Sequence, residues 1–161
     1  MDDAHAFPFS DVVMELVDQL IYLGIPGMFM AGLLAGTVVP FSSEVVLLAL
    51  LAVGIDPTAL LISATIGNWI GGMTTYGIGW MGKVEWLEKY FGVSHQKLLD
   101  FEIRLKKWGA YWAILSWVPI AGNMITAALG FFKAPKFKVA FWMLIGKVGR
   151  YALIILAYLF W

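Results

Sequence analysis

The sequence predicts an all-α integral membrane protein made of two inverted repeats, each a re-entrant helical hairpin followed by a transmembrane helix, with amphipathic helices at the interface. Three observations lead there. The chain of 161 residues is 61% hydrophobic and 14% charged, with a mean hydropathy of +0.81, whereas a soluble domain is about half apolar and a quarter charged. Its apolar residues gather in blocks separated by charge, as bilayer spans do. Two of these blocks are broken near their centres, and the unusual residues of one half recur in the other at a constant offset.

Residues 8–23 place Val12, Val13, Leu16, Val17, Leu20 and Ile21 on one helical stripe with Asp11, Glu15, Asp18 and Gln19 opposite, the pattern of an amphipathic helix lying at an interface. Gly24-Ile25-Pro26-Gly27 ends it. The first block, 28–55, is divided by Pro40-Phe41-Ser42-Ser43 into two arms of about 18 Å each at 1.5 Å per residue. Neither arm crosses a hydrocarbon core of about 30 Å. The block is therefore expected to enter and return as a re-entrant hairpin, which is tolerated only where the broken backbone is buried in protein or faces a wet cavity.

Asp56-Pro57 punctuates, and residues 58–82 are numerous enough to span; Ser63, Ala64, Gly67, Gly71 and Thr74 give this block a small-residue stripe that lets another backbone come close. Residues 83–109 form the one strongly charged stretch, with Asp100–Arg104 and Glu102–Lys106 as i,i+4 pairs and Leu98, Phe101, Leu105 and Trp108 on one face. That pattern predicts a helix lying flat on the membrane surface. Block 110–132 is broken at Pro119-Ile120-Ala121-Gly122-Asn123, giving a second hairpin, and residues 139–161 read as a spanning helix that carries Lys147 and Arg150 inside it. The organisation is one membrane domain: N-terminal amphipathic helix 1–27, first repeat 28–82, amphipathic linker 83–109, second repeat 110–161.

Adding 79 to a residue number takes Pro40 to Pro119, Glu44 to Asn123, Gly67 to Gly146, Asn68 to Lys147 and Gly71 to Arg150. One net crossing per half makes the halves inverted, the arrangement of many secondary transporters. In this topology Lys83, Lys89, Lys97, Arg104, Lys106, Lys107, Lys133, Lys136 and Lys138 share one face, and the other face has no Lys or Arg. Five full spans would split them six to three. The positive-inside rule favours the hairpins and puts segment 83–109 in the cytoplasm. The acidic start, Met1-Asp2-Asp3-Ala4-His5, lacks the positive n-region of a signal peptide, so the N-terminus is expected to be retained.

Glu44, Lys147 and Arg150 sit inside apolar blocks, where each costs a few kcal/mol unless paired or hydrated. Lys147 and Arg150 share a helix face about 12 to 17 Å into the last span. Two readings stand. In one, the three surround a polar cavity in which the cations bind an anionic headgroup and Glu44 is counter-ion or proton acceptor. In the other, a buried ion pair staples the first hairpin to the last helix. Asn68 and Asn123, repeat mates of Lys147 and Glu44, either share that layer or bond helix to helix. Ser43, with Ser42, Thr74, Thr75, Tyr76 and Ser116, lines the cavity or bonds a preceding carbonyl. Pro40, Pro119 and Gly122 are the structural breaks of the hairpins, and Trp80, Trp86, Trp108 and Trp112 are interfacial anchors.

The absence of Cys and the presence of only His5 and His95 exclude thiolate chemistry and a Cys- or His-rich metal site. Zero formal charge, from eleven basic against eleven acidic residues, excludes nucleic-acid binding by counterion release. No nucleophile with an adjacent base assembles at depth, so no enzyme, cofactor or metal is expected.

Four ordered motifs give the chain a resemblance: Pro40-Phe41-Ser42-Ser43-Glu44, Gly67-Asn68-Trp69-Ile70-Gly71-Gly72-Met73-Thr74, Ser116-Trp117-Val118-Pro119 followed by Gly122-Asn123, and Gly146-Lys147 with Arg150-Tyr151. Over roughly residues 28–158 it resembles the DedA family, also described as the VTT or SNARE-associated domain, and more closely its short YqaA-like branch. The resemblance implies paired re-entrant hairpins, a bacterial inner (plasma) membrane location, and lipid flipping or scrambling, with Glu44 as the acidic residue of the first hairpin. The family's typical Arg on each side of the second Pro is absent, Ser116 and Gly122 standing in that neighbourhood; the YqaA pattern implies that Lys147 and Arg150 supply the positive charge.

The leading function is a membrane lipid transporter, a flippase or scramblase of phospholipid or polyprenyl-phosphate type, with Glu44, Lys147, Arg150, Asn123, Asn68 and Ser43 around its site. Its partners are membrane lipids with an anionic or zwitterionic headgroup, homo-oligomer formation being left open. The alternatives are a proton- or ion-coupled transporter of a small solute and a structural membrane protein with a buried ion pair.

Overall fold

A computed structural model describes residues 8–37, 41–82, 109–118 and 121–160. They form six α-helices and one 3-10 helix: α1 (Pro8–Tyr22), α2 (Ile25–Gly36), α3 (Ser43–Ala52), α4 (Pro57–Met81), the 3-10 helix Gly109–Trp117, α5 (Ala121–Phe131) and α6 (Lys136–Phe160). No strand occurs among the described residues. The expected surface helix of 83–109, save its last residue, and Pro40 and Pro119 of the two breaks lie outside them.

Chain breaks fall where backbone chemistry requires them. Gly24 turns the chain from α1 into α2 at φ 63°, a conformation that carries little penalty only without a Cβ. Asp56 caps α4 by accepting from the Ala59 amide at 2.7 Å, and Pro57 occupies the first turn, where its missing N–H costs nothing. With twelve and ten residues, α2 and α3 are about 18 and 15 Å long, and the 25-residue α4 and α6 about 37 Å. The first arm of the second half departs from the expected α-helical form, being a 3-10 stretch of nine residues.

The bounds of α4, shifted by 79, are those of α6. The two helices are not equally apolar. Only α6 is long and apolar enough, among the described residues, to cross a membrane. In α4 the apolar density is diluted by glycines and by Ser63, Thr65, Asn68, Thr74 and Thr75, because it is the central helix against which α2, α5 and α6 all pack. Residues facing helices need to be small rather than greasy.

Two hydrophobic clusters hold the helices together. Leu60 and Ala64 of α4 join Val46, Leu47 and Leu50 of α3, Met28 and Ala31 of α2, Leu20 of α1, and Tyr151 and Ile155 of α6. Tyr76 of α4 joins Leu129 of α5, Ala113 of the 3-10 helix, and Val139 and Met143 of α6. The start of α4 therefore meets the end of α6 and the reverse, so the two helices run antiparallel. Outside the clusters, Ile62, Ile66 and Ile70 of α4 and Phe141, Leu144, Ile145 and Val148 of α6 are exposed, apolar stripes of the kind a lipid phase covers. In α1 only the C-terminal part of the stripe is covered: Leu20 is buried and Val17 and Ile21 pack against the first cluster, while Val12 and Leu16 are exposed.

The tightest packing is backbone against backbone. A methyl group at Gly67 would lie 2.2 Å from the Phe29 carbonyl oxygen, and one at Gly71 2.2 Å from that of Leu33. From the other side, a methyl group at Gly36 would lie 2.4 Å from the Asn68 carbonyl oxygen, so α2 and α4 touch through glycines on both. Gly79 and Gly130 do the same for α4 and α5, where a methyl group on either would lie 2.0 Å from the opposing carbonyl oxygen. A methyl group at Gly77, on the same helix, would meet nothing within 4 Å outside its own helix among the described residues. We therefore expect Gly71→Ala to lower thermal stability in detergent by about 1–3 kcal/mol through overpacking. Gly77→Ala should leave it unchanged or raise it by up to about 1 kcal/mol through helix propensity. Equal effects of the two substitutions on the melting temperature would count against this packing.

Candidate functional site

The two clusters leave a layer between them, and the polar residues of α4 and α6 occupy it. Asn68 lies between Ala64 and Tyr76, and Lys147 between Met143 and Tyr151, on helix faces that meet. The Lys147 side chain is 1% exposed and its ammonium donates to Asn68 Oδ1. With its oxygen given to the lysine, Asn68 turns its Nδ2 to Tyr151 Oη, donating at 2.6 Å. The tyrosine oxygen, an acceptor here, shares a further hydrogen bond with Ser43 Oγ at 2.7 Å, in which either hydroxyl can donate. A chain of hydrogen bonds thus runs from α6 through α4 and α6 again to the first residue of α3.

One residue along, α3 and α6 meet through charge. Glu44 Oε1 pairs with the Arg150 guanidinium, while Glu44 Oε2 accepts from Ser42 Oγ at 2.9 Å. Arg150 also stands over the Tyr151 ring at 5.8 Å. Consecutive residues of α3 therefore meet consecutive residues of α6. Exposure falls from 25% at Glu44 to 11% at Arg150 and 1% at Lys147, so the carboxylate stands at the mouth of the layer and the ammonium at its floor. Among the described residues, Glu44 is neutralised by Arg150, and the partner of Lys147 is a neutral amide.

Asn123, the repeat mate of Glu44, binds elsewhere: its Nδ2 donates to the carbonyl oxygens of Ala35 at 2.9 Å and Thr37 at 2.6 Å. Carbonyls at the end of α2 have no intrahelical partner, and the second half supplies one. Gly122 is packed against the Ser116 carbonyl, which a methyl group would approach to 2.5 Å. Of the hydroxyls, Thr74 bonds a preceding carbonyl of its own helix, Ile70 O, while Thr75 donates to Gly36 O and Tyr76 to Ala134 O in other segments. Ser116 Oγ and Thr65 Oγ1 are buried with no hydrogen-bond partner among the described residues. Trp80 and Trp112 are exposed, and Lys133 lies over the Trp80 ring at 5.9 Å.

Tyr151 stands in the fourth sequence motif without a place among the candidate site residues, yet it joins Ser43, Asn68 and Arg150. Its signal was positional, since it follows Lys147 by four residues and so shares its helix face.

An uncharacterised protein of Haemophilus influenzae is 34% identical over 132 residues, covering 77% of this chain and 80% of its own. Inner membrane protein YqaA of Escherichia coli is 33% identical over 134 residues, 80% of this chain and 87% of its own. An uncharacterised protein of the archaeon Methanocaldococcus jannaschii is 24% identical over 151 residues, 93% and 91%. No family-wide signature matches the chain, and no solved structure matches it. A third of the residues shared with YqaA across four fifths of the sequence is common descent over the whole helical unit rather than over one motif, and the chain belongs to the DedA family, in its YqaA-like branch.

Proposed function

We propose that the chain is a lipid transporter of the bacterial inner membrane, passing headgroups through the layer around Glu44, Lys147 and Arg150 while the acyl tails stay in lipid. The observation that carries this reading is the placement of three ionisable side chains between two hydrophobic clusters, graded from a partly exposed mouth to a buried floor. Intramembrane charges are retained against a cost of a few kcal/mol each and mark substrate pathways by default. The name of the Escherichia coli relative supports the location.

The inverted-repeat architecture is part of the same proposal. The equal bounds of α4 and α6 at an offset of 79 and their antiparallel contact support it. So does the contact between Asn68 and Lys147, which are repeat mates, because mates that touch lie beside the axis relating the halves. With α2, α3 and α5 too short to cross, Asp56 at the start of α4 and Lys136 at the start of α6 fall on opposite faces. A cysteine placed at Asp56 should react with an impermeant maleimide from outside, and one at Lys136 only after the membrane is opened. Labelling of both from the same side would overturn the topology.

The direct Glu44–Arg150 contact favours a second reading, in which the pair only staples α3 to α6. Glu44→Gln should cost about 3 kcal/mol of stability, the low end for a buried pair because a quarter of the carboxylate side chain is exposed. Pairing Glu44→Gln with Arg150→Met should restore stability, since a matched apolar replacement of a buried pair is often neutral. Movement of fluorescent, tail-labelled lipids in vesicles holding the double variant decides between the readings. We expect it to stay lost; a stable double variant with full transport would show the pair to be a staple.

A further inference from the structure

The return arms of the two hairpins, α3 and α5, are held in different ways. Shifted by 79, α3 falls on 122–131, the span of α5 but for its first residue. Backbone contact fixes α5 to α4: a methyl group at Gly130 would lie 2.0 Å from the Tyr76 carbonyl oxygen, and one at Gly79 2.0 Å from that of Ala127. The mates of these glycines are Leu51 and Tyr158, whose side chains keep α3 and α6 from meeting in that manner. There is no glycine in α3 itself. Val46, Leu47 and Leu50 hold it in the first cluster, and among the described residues its polar contacts with another helix are those of Ser43 with Tyr151 and Glu44 with Arg150.

These contacts differ in what a lipid can replace. Acyl chains are as apolar as leucine, so leucines that exchange a helix for lipid lose little. Tails cannot stand in for a hydrogen bond or an ion pair. The two polar contacts at the first turn of α3 are therefore what holds it against α6. At its other end α3 runs into Gly54, which has φ 84° and at which a methyl group would meet nothing within 4 Å. We propose that α3 is a gate: it swings about the turn at Gly54, with the Ser43–Tyr151 and Glu44–Arg150 contacts as the latch that keeps it shut, while α2, α4 and α5 stay together as a block through their glycine contacts. On the lipid-transport reading above, opening the gate frees Arg150, whose guanidinium keeps its charge, for a headgroup phosphate to take the place of Glu44.

The chain has no cysteine, so single cysteines at repeat mates compare the two arms directly. Leu50 of α3 and Leu129 of α5 are mates and both fully buried. With a lipid-soluble fluorogenic maleimide acting on the full chain in detergent, well below its melting temperature, Leu50→Cys should react faster than Leu129→Cys by about tenfold or more, because an arm held by side chains alone opens more readily than one held by backbone. Ser43→Ala removes one half of the latch. It should speed labelling of Leu50→Cys by about two- to tenfold, the worth of one hydrogen bond, and leave Leu129→Cys as it was. Leu47→Cys and Thr126→Cys, a second pair of buried mates, carry the comparison if a leucine variant does not fold. Equal rates at the mates, a faster rate on α5, or an effect of Ser43→Ala that is absent or the same on both arms would overturn the gate. Lipid movement is read separately, with tail-labelled lipids in vesicles. Transport with equal labelling of the arms would defeat the gate alone; latch-dependent labelling of Leu50→Cys without lipid movement would uphold the gate and defeat the transporter.

Discussion

An ammonium group buried among helices must find an oxygen, and the geometry around Lys147 follows from that requirement. Asn68 answers it from the neighbouring helix, and doing so fixes the orientation of its amide. That orientation turns the Asn68 N–H groups to Tyr151 Oη, which in turn bonds Ser43. Three helices are held in register by one chain of hydrogen bonds. Reversing the Asn68 amide would bring its N–H groups against the lysine amine, so the amide has one orientation only.

This polar layer exists because the surrounding helices come close enough to exclude anything else. Glycines at 36, 67 and 71 let α2 lie against α4 with backbone atoms in contact, and the hydrophobic clusters close the layer above and below. Apolar side chains alone would not place α4 and α6 uniquely, since greasy faces slide. The pairing of Asn68 with Lys147 supplies a register, the best-attested use of a buried polar contact.

Much of this was legible in the residues. Pro57 and Asp56 announce the start of α4, its small residues announce close approach of another backbone, and the offset of 79 announces a counterpart helix, though the apolar pattern puts its start at 139, three residues after Lys136. The isolated charges at 44, 147 and 150 pointed to the layer, since ions at that depth demand partners. What the residues did not disclose was who partners whom. Lys147 and Arg150 share a face, and nothing in their spacing says that the arginine takes the carboxylate while the lysine takes an amide. That choice depends on the rotation of α6 against α3 and α4, a tertiary quantity. For Asn123 the repeat left two readings, a place beside Glu44 or a bond from helix to helix, and its amide makes the second, to carbonyls at the end of α2, where helix carbonyls take partners from outside the helix. The 3-10 form of residues 109–117 had no signature in a segment whose composition matches that of an α-helix.

The bond from Asn123 to Ala35 and Thr37 also bears on how the chain is made. Synthesis proceeds from the N-terminus, so α2 is made about eighty codons before the residue that completes its end, and α4 about forty codons before it. Through that interval the Ala35 and Thr37 carbonyls lack their asparagine and Asn68 lacks its lysine. The first half is therefore an unfinished surface awaiting its complement. The two halves behave as partners in an assembly reaction whose effective concentration is set by the linker between them.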